Sequence, residues 1–126
     1  MQKISKIQRT WHGKEGKLMD QKILQELVRG ILSVMQENVV QIILYGSVAR
    51  GDQTEESDVD VALLVNGSLN PEMEERLSDF IVDMDLKYDK VFSVIDINMD
   101  KFTEWENVLP FYQNVKKEGI VLWKAA

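Results

Sequence analysis

The sequence predicts an α/β (α+β) domain in which a small mixed β-sheet is flanked by helices. Segments with a helical apolar period alternate along the chain with short apolar runs typical of strands. At 126 residues and 44% hydrophobic side chains, the chain can form one packed core and hardly a second. It contains no cysteine, which excludes disulfide scaffolds and cysteine-ligated metal sites.

The first half of the chain predicts one helix and two strands. Apolar residues recur at three- and four-residue spacing over roughly 18–37, the pattern of an amphipathic helix. The β-branched run 39–45 ends at Gly46 and predicts a buried strand. The run 58–65 is apolar on both faces after its first residues, so it predicts a central strand with a charged entrance.

The second half predicts three helices and two strands. Asn70-Pro71 caps and opens a helix with an acidic first turn, where the helix dipole favours negative charge. The run 91–98 predicts a third strand that carries one acid, Asp96. Short helices around 100–106 and 108–117 and a final strand over 120–123 complete the predicted domain.

Charge is distributed unevenly along the chain. The formal net charge is −6, which argues against broad binding to nucleic-acid phosphates. Residues 1–17 nevertheless hold five basic side chains against one acid, so we expect a basic N-terminal arm before a single domain over 18–126. That arm either docks on an acidic surface or nucleic acid, or is a solvated terminus.

The sequence also limits where the protein is expected to act and what its histidine can do. No apolar run is long enough to span a membrane and no signal peptide is recognisable at the N-terminus, so the expected compartment is the cytoplasm. The single histidine, His12, excludes a histidine-rich metal cage and is expected to be an ordinary exposed side chain.

The segment most informative about chemistry begins where the first strand runs into Gly46-Ser47. Gly46 lets the backbone approach a ligand closely, and Ser47 with the amides after it can donate hydrogen bonds to phosphate at a helix N-terminus. The segment is not a P-loop, because Gly51 is not followed by Lys and Ser or Thr. The three spaced glycines of the dinucleotide fingerprint are absent as well.

Three acids are the candidate catalytic and metal-binding residues. Asp58 and Asp60 are two positions apart on a strand, so their carboxylates share a face at roughly 7 Å along the chain. Two carboxylates this close favour a cation, and oxygen ligands beside a phosphate site suit Mg²⁺ or Mn²⁺, a pair of which can clamp the attacking and leaving oxygens of a phosphoryl displacement. Asp96 lies within an apolar run and is the expected third ligand, although each acid alone is also compatible with a surface position.

The order of these features resembles a known family signature. Gly46-Ser47, ten residues, Asp58-x-Asp60 and an acid inside a third strand are similar to the DNA polymerase beta nucleotidyltransferase superfamily, in particular its minimal nucleotidyltransferase (MNT) family. The likeness covers about residues 20–126. It implies a nucleotidyltransferase fold that binds ATP and two Mg²⁺ ions and transfers a nucleoside monophosphate with loss of pyrophosphate. Asp96 would match the third carboxylate, which helps hold the metal and activates the acceptor hydroxyl.

Two positions beside the signature refine this resemblance. Arg50 falls where family members usually carry Arg and could bind phosphate, while the alternative is a surface Arg paired with Asp52 or Glu55. Val48 stands where many relatives carry a basic residue, a departure expected to weaken triphosphate binding. Asp52, Glu55 and Glu56 are expected to form a solvated loop.

Three functions are compatible with the sequence. The resemblance implies an antitoxin that transfers AMP to a tyrosine of a helical HEPN-type toxin partner, with no direct role for nucleic acid or membrane. A catalytically silent antitoxin or assembly subunit is the second hypothesis, and a transferase acting on a small hydroxyl compound such as an aminoglycoside, within a homo-oligomer, is the third. Four aromatic residues are expected in the core or against a partner: Trp105, Phe111, Tyr112 and Trp123.

Overall fold

The computed structural model describes residues 20–54 and 56–126 of the chain. The predicted basic arm and Glu55 lie outside the described residues. Every predicted helix and strand is present, and the α/β class is confirmed. The elements are α1 Gln21–Met35, a 3₁₀ turn Gln36–Asn38, β1 Val39–Tyr45, α2 Gly46–Arg50, β2 Val59–Val65, α3 Pro71–Tyr88, β3 Phe92–Asn98, α4 Met99–Trp105, α5 Pro110–Glu118 and β4 Ile120–Lys124.

The four strands form one mixed sheet in the order β3-β2-β1-β4. β1 runs antiparallel to both of its neighbours, whereas β2 and β3 are parallel. The predicted central position of β2 is confirmed, since every residue of this strand except Asp60 is buried. A strand that is apolar on both faces requires cover on both sides, and the helices supply it.

The helices cover the two faces of the sheet unequally. On one face, α1 and α3 contribute Leu24, Leu27 and Met84 to the larger core cluster, which includes Leu44 and Val61 of the sheet. On the other face, α4 and α5 contribute Phe102 and Val115 to a smaller cluster with Ile43, Ala62 and Leu64. The domain therefore has three layers, with its thinner cover over the second face.

Local capping explains where the helices begin and end. α1 starts at Gln21, where the Asp20 carboxylate accepts a hydrogen bond from the Lys22 amide at 2.8 Å. Residues 18 and 19 of the predicted helix lie outside the described residues. α1 ends before 37 because Gln36 has a φ of 53°, outside the helical region. α3 begins as predicted, with the Asn70 side chain accepting from the Met73 amide and Pro71 in the first turn.

Within the part of the chain that the structure describes, no helix combines the length and apolar character needed to cross a membrane.

Candidate functional site

The β1–α2 junction brings the backbone against an acidic side chain. Gly46 has a φ of +77°, a conformation that residues with a Cβ rarely adopt. A Cβ built at this position would lie 2.5 Å from Oδ2 of Asp60. Gly46 is thus required both by its backbone angle and by the space that the Asp60 carboxylate occupies.

The carboxylate pair lies where β2 begins. Asp58 directly precedes the strand, and Asp60 is half-buried as its second residue. Burial raises the pKa of the Asp60 carboxyl, and the negative charge of Asp58 raises it further. The two predicted carboxylates are therefore close enough to repel each other.

Asp60 is the middle member of a row that crosses three strands. Its register partner in β1 is Tyr45, and its register partner in β3 is Ser93. Burial raises the pKa of the Tyr45 hydroxyl, and the charge of Asp60 adds to this. The ring of Phe111, from α5, packs edge-on against Tyr45 with centroids 5.5 Å apart. Tyr45, Phe111 and Ser93 were not predicted as neighbours of the site, since only the strand register brings them there.

Arg50 ends α2 beside the pair and is held by two acids. Its Nε donates to Asp52 at 3.2 Å and its Nη1 to Glu118 at 3.1 Å. The predicted alternative of a surface arginine paired with Asp52 is thus what the structure contains. Its positive charge still lowers the pKa of Asp60, against the two larger effects that raise it. Arg50 therefore acts electrostatically on the carboxylate pair from its ion-paired position.

The other residues of α2 divide between the site and the core. Ser47, in its first turn, is half-buried next to Gly46. Val48 is buried and belongs to the larger core cluster. An apolar residue at this position, where the resemblance leads us to expect a basic one, is explained here by its packing.

Asp96 does not join the other two carboxylates, and the prediction that it does is wrong for this structure. It is paired with Leu63 of β2, three positions beyond Asp60, which places it about 10 Å further along the sheet. Three is an odd number of residues, so its side chain points to the opposite face. It is also exposed, because β3 is an edge strand, and so the expected penalty for an acid in an apolar run does not arise.

The remaining pair suits one divalent cation. Two repelling carboxylates, one of them partly desolvated, are an arrangement that a hard cation such as Mg²⁺ or Mn²⁺ relieves. Within residues 20–54 and 56–126, no hydrogen bond or ion pair satisfies the Asp60 carboxylate, and no group of three acidic, histidine or cysteine side chains is gathered for a metal. Asp58 and Asp60 thus fit the predicted ligand role, without a third acid.

The structure thus has the arrangement that the family signature predicts: a strand that ends in Gly46-Ser47 and a short helix, followed by two acids at the start of an antiparallel strand. The sequence profile described as polymerase beta nucleotidyltransferase matches residues 30–125. The chain belongs to this family and is a nucleotidyltransferase. The predicted superfamily is confirmed.

A curated relative supports the same assignment. A protein of Methanocaldococcus jannaschii, named as a candidate protein adenylyltransferase, is 34% identical over 108 residues, which span 82% of this chain and 98% of the relative.

Solved structures share the fold at low sequence identity. A chain from a mutant form of the toxin–antitoxin complex MntA–HpeT superposes with a TM-score of 0.57 at 19% identity over 80% of this chain and 73% of that one. A nucleotidyltransferase candidate from Sulfolobus solfataricus gives a TM-score of 0.55 at 21% identity, covering 95% and 87% of the two chains. These likenesses establish the nucleotidyltransferase fold.

Proposed function

We propose that this protein is a metal-dependent adenylyltransferase that transfers AMP from ATP to a hydroxyl group, namely a tyrosine of a helical, HEPN-type toxin for which it is the antitoxin. The observation that carries the proposal is the position of the Asp60 carboxylate beside Gly46, where its Oδ2 lies 2.5 Å from the place that a Cβ would take. The relative named for protein adenylyl transfer supports a protein acceptor. The toxin–antitoxin complexes of the same fold support a toxin partner.

The residues of the site have distinct roles in this reaction. Asp58 and Asp60 hold Mg²⁺, which when bound neutralises negative charge on the phosphates. Gly46 and Ser47 place backbone and hydroxyl donors beside the nucleotide, and Arg50 adds positive charge. The acceptor oxygen forms a bond to the α-phosphorus of ATP, the bond from that phosphorus to the β-phosphate oxygen breaks, and pyrophosphate leaves. The acceptor proton passes to water, because Asp96 faces away from the pair.

The surface beside the carboxylates supports a protein partner. Trp105, Val108, Leu109 and Phe111 expose about 40–60% of their area along α4, the following turn and α5. Phe111 contacts Tyr45, the register partner of Asp60, so this apolar surface begins next to the site. Apolar and aromatic side chains at a surface are typical of the buried centre of protein interfaces. Tyr112 and Trp123 are half-buried and pack with the core.

The experiment uses ATP labelled at the α-phosphate, Mg²⁺, and the purified protein encoded next to this chain's gene. We expect label on a tyrosine of that partner, lost with Asp58→Asn and retained with Asp96→Asn. Asp96→Asn is the matched control, because it removes the same charge on the opposite face of the sheet. Label that survives Asp58→Asn, or that appears only on added small hydroxyl compounds such as aminoglycosides, would contradict the proposal. Because its substrate is ATP, we expect the protein to act in the cytoplasm.

A second candidate is favoured by a specific observation. No third acidic, histidine or cysteine side chain joins Asp58 and Asp60 within the described part of the chain, so the site offers no obvious base for the acceptor hydroxyl. An antitoxin that binds and blocks its partner without transferring AMP would need none. Tight binding to the partner with no label transferred under any metal condition would establish this candidate.

A further inference from the structure

The row Tyr45–Asp60–Ser93 indicates which position could set the number of metal ions that the site binds. In a parallel pair of strands, register partners point their side chains to the same face, so Ser93 lies laterally beside Asp60. The core clusters agree: Ile97, four positions after Ser93, packs with Ala62 and Leu64 of the same face, whereas Phe92 packs with the opposite one. Neighbouring strands are about 4.8 Å apart, so a carboxylate at position 93 would reach the Asp60 carboxylate region.

Each of the other positions around Asp60 already has a packing, steric or ion-pairing role. Tyr45 occupies the other side of the row and is packed by Phe111. Gly46 leaves no room for a side chain. Arg50 brings positive charge and is held by Asp52 and Glu118. Position 93 is therefore the one place in this row from which a third carboxylate could enter the site, and the chain has a serine there.

We propose that this chain is built to hold one divalent cation on Asp58 and Asp60, and that Ser93 is the position which keeps the site from taking a second. A serine hydroxyl is a neutral ligand, so it cannot offset the repulsion between two divalent ions as a third carboxylate would. The proposal differs from the two-ion site that the family resemblance implies. The inference rests on the proposed placement of the metal on Asp58 and Asp60, and it does not depend on AMP transfer.

The test counts bound Mn²⁺ ions on the full chain without nucleotide, from the electron paramagnetic resonance signal of the free ion. We expect one Mn²⁺ per wild-type chain and loss of binding in Asp60→Asn. In Ser93→Asp we expect a second bound ion, because a third carboxylate adds the negative charge that offsets the repulsion between two divalent ions. Ile95→Asp is the matched control, because it adds the same charge to the same strand and face, two residues further from Asp60. We expect it to bind one ion, as the wild type does, with an affinity changed by less than about threefold, the size of a screened long-range charge effect.

The outcomes separate this inference from the proposed function. Two ions bound per wild-type chain, or equal effects of Ser93→Asp and Ile95→Asp, would overturn the inference even if AMP transfer is observed. One ion on a chain that transfers no AMP would support it while removing the proposed function. If Ser93→Asp does not fold, as judged by circular dichroism, Ser93→Glu adds the same charge at the same position and takes its place in the comparison with Ile95→Asp.

Discussion

Two acidic side chains in different parts of the molecule lie in opposite electrostatic conditions. Glu26 of α1 accepts a hydrogen bond from Lys87 Nζ at 2.8 Å and another from the Tyr88 hydroxyl, both on α3. The bonds from Lys87 and then Tyr88 lower the pKa of Glu26. Asp60 has no such donors among the described residues, and burial and Asp58 raise its pKa.

The contrast distinguishes an acid that helps to hold the fold together, Glu26, from an acid of the candidate site, Asp60. The helical layer around Glu26 satisfies its charge within the chain, and the exposed ion pair with Lys87 links α1 to α3, both of which pack on the larger core. At the start of β2, the chain holds Asp60 against Gly46 and Asp58 at an electrostatic cost. An unfavourable carboxylate pair that is kept in place is typical of a site completed by something from outside, for which we propose a cation.

The largest expected difference between the two acids is in activity. Asp60→Asn should lower AMP transfer by at least about 100-fold, because metal charge stabilisation is worth several kcal/mol and about 2.7 kcal/mol corresponds to that factor. Glu26→Gln should change the rate by less than about threefold, within the small effects expected of surface substitutions. Initial rates of label transfer from ATP measure both. A comparable loss in the two variants would contradict the assignment of Asp60 as a metal ligand.

The next effect concerns the backbone that carries the site. Gly46→Ala should be more destabilising than Gly67→Ala by at least about 1 kcal/mol, measured by denaturant unfolding. Both glycines have positive φ, +77° and +66°, so both substitutions add strain of about 1–2 kcal/mol. Only at Gly46 does the new Cβ meet Asp60, whereas nothing lies within 4 Å at Gly67. Equal losses would show that Asp60 does not press on this backbone.

The smallest expected effect is on the stability of the fold and its pH dependence. The two ionised carboxylates should change that stability in opposite directions. The lowered pKa of Glu26 stabilises the fold above the ordinary glutamate range, and this contribution is lost as the pH falls through the lowered value. The raised pKa of Asp60 works the other way, because the fold is favoured while the group is protonated and disfavoured as the pH rises through the raised value.

Thermal unfolding between about pH 3 and pH 7 without metal therefore gives a simple test. At neutral pH, Glu26→Gln should melt below the wild type and Asp60→Asn above it, and both differences should shrink towards the acidic end of the range. The same sign for both variants at neutral pH would contradict the contrast between the two regions.

Much of the fold follows from local sequence, and the site only in part. The periods of the apolar segments and the cap Asn70-Pro71 predicted the order of the elements, since these are short-range signals. The proximity of Gly46 to the Asp58–Asp60 pair was also predictable, because only a short segment separates the two along the chain. The assignment of Asp96 failed, because the register between β2 and β3 is a long-range property that one sequence does not display.

Ser93 also shows that strand register cannot be predicted from one sequence. A serine in an apolar strand carries no chemical signal of its own, and only its pairing with Asp60 gives it a place in the site. Sequence reasoning favoured the one acid in this strand, whereas the sheet register selects the residue that faces the site.

The central claim is that the ionised Asp60 side chain destabilises the metal-free fold and stabilises the fold once a cation is bound. It is tested most directly by the melting temperatures of wild type and Asp60→Asn at neutral pH, each with and without millimolar Mn²⁺. A ligand that binds only the folded state raises its stability by mass action. We predict that Asp60→Asn melts higher than the wild type without metal and lower than the wild type with it. An unchanged order in the two conditions would contradict the account.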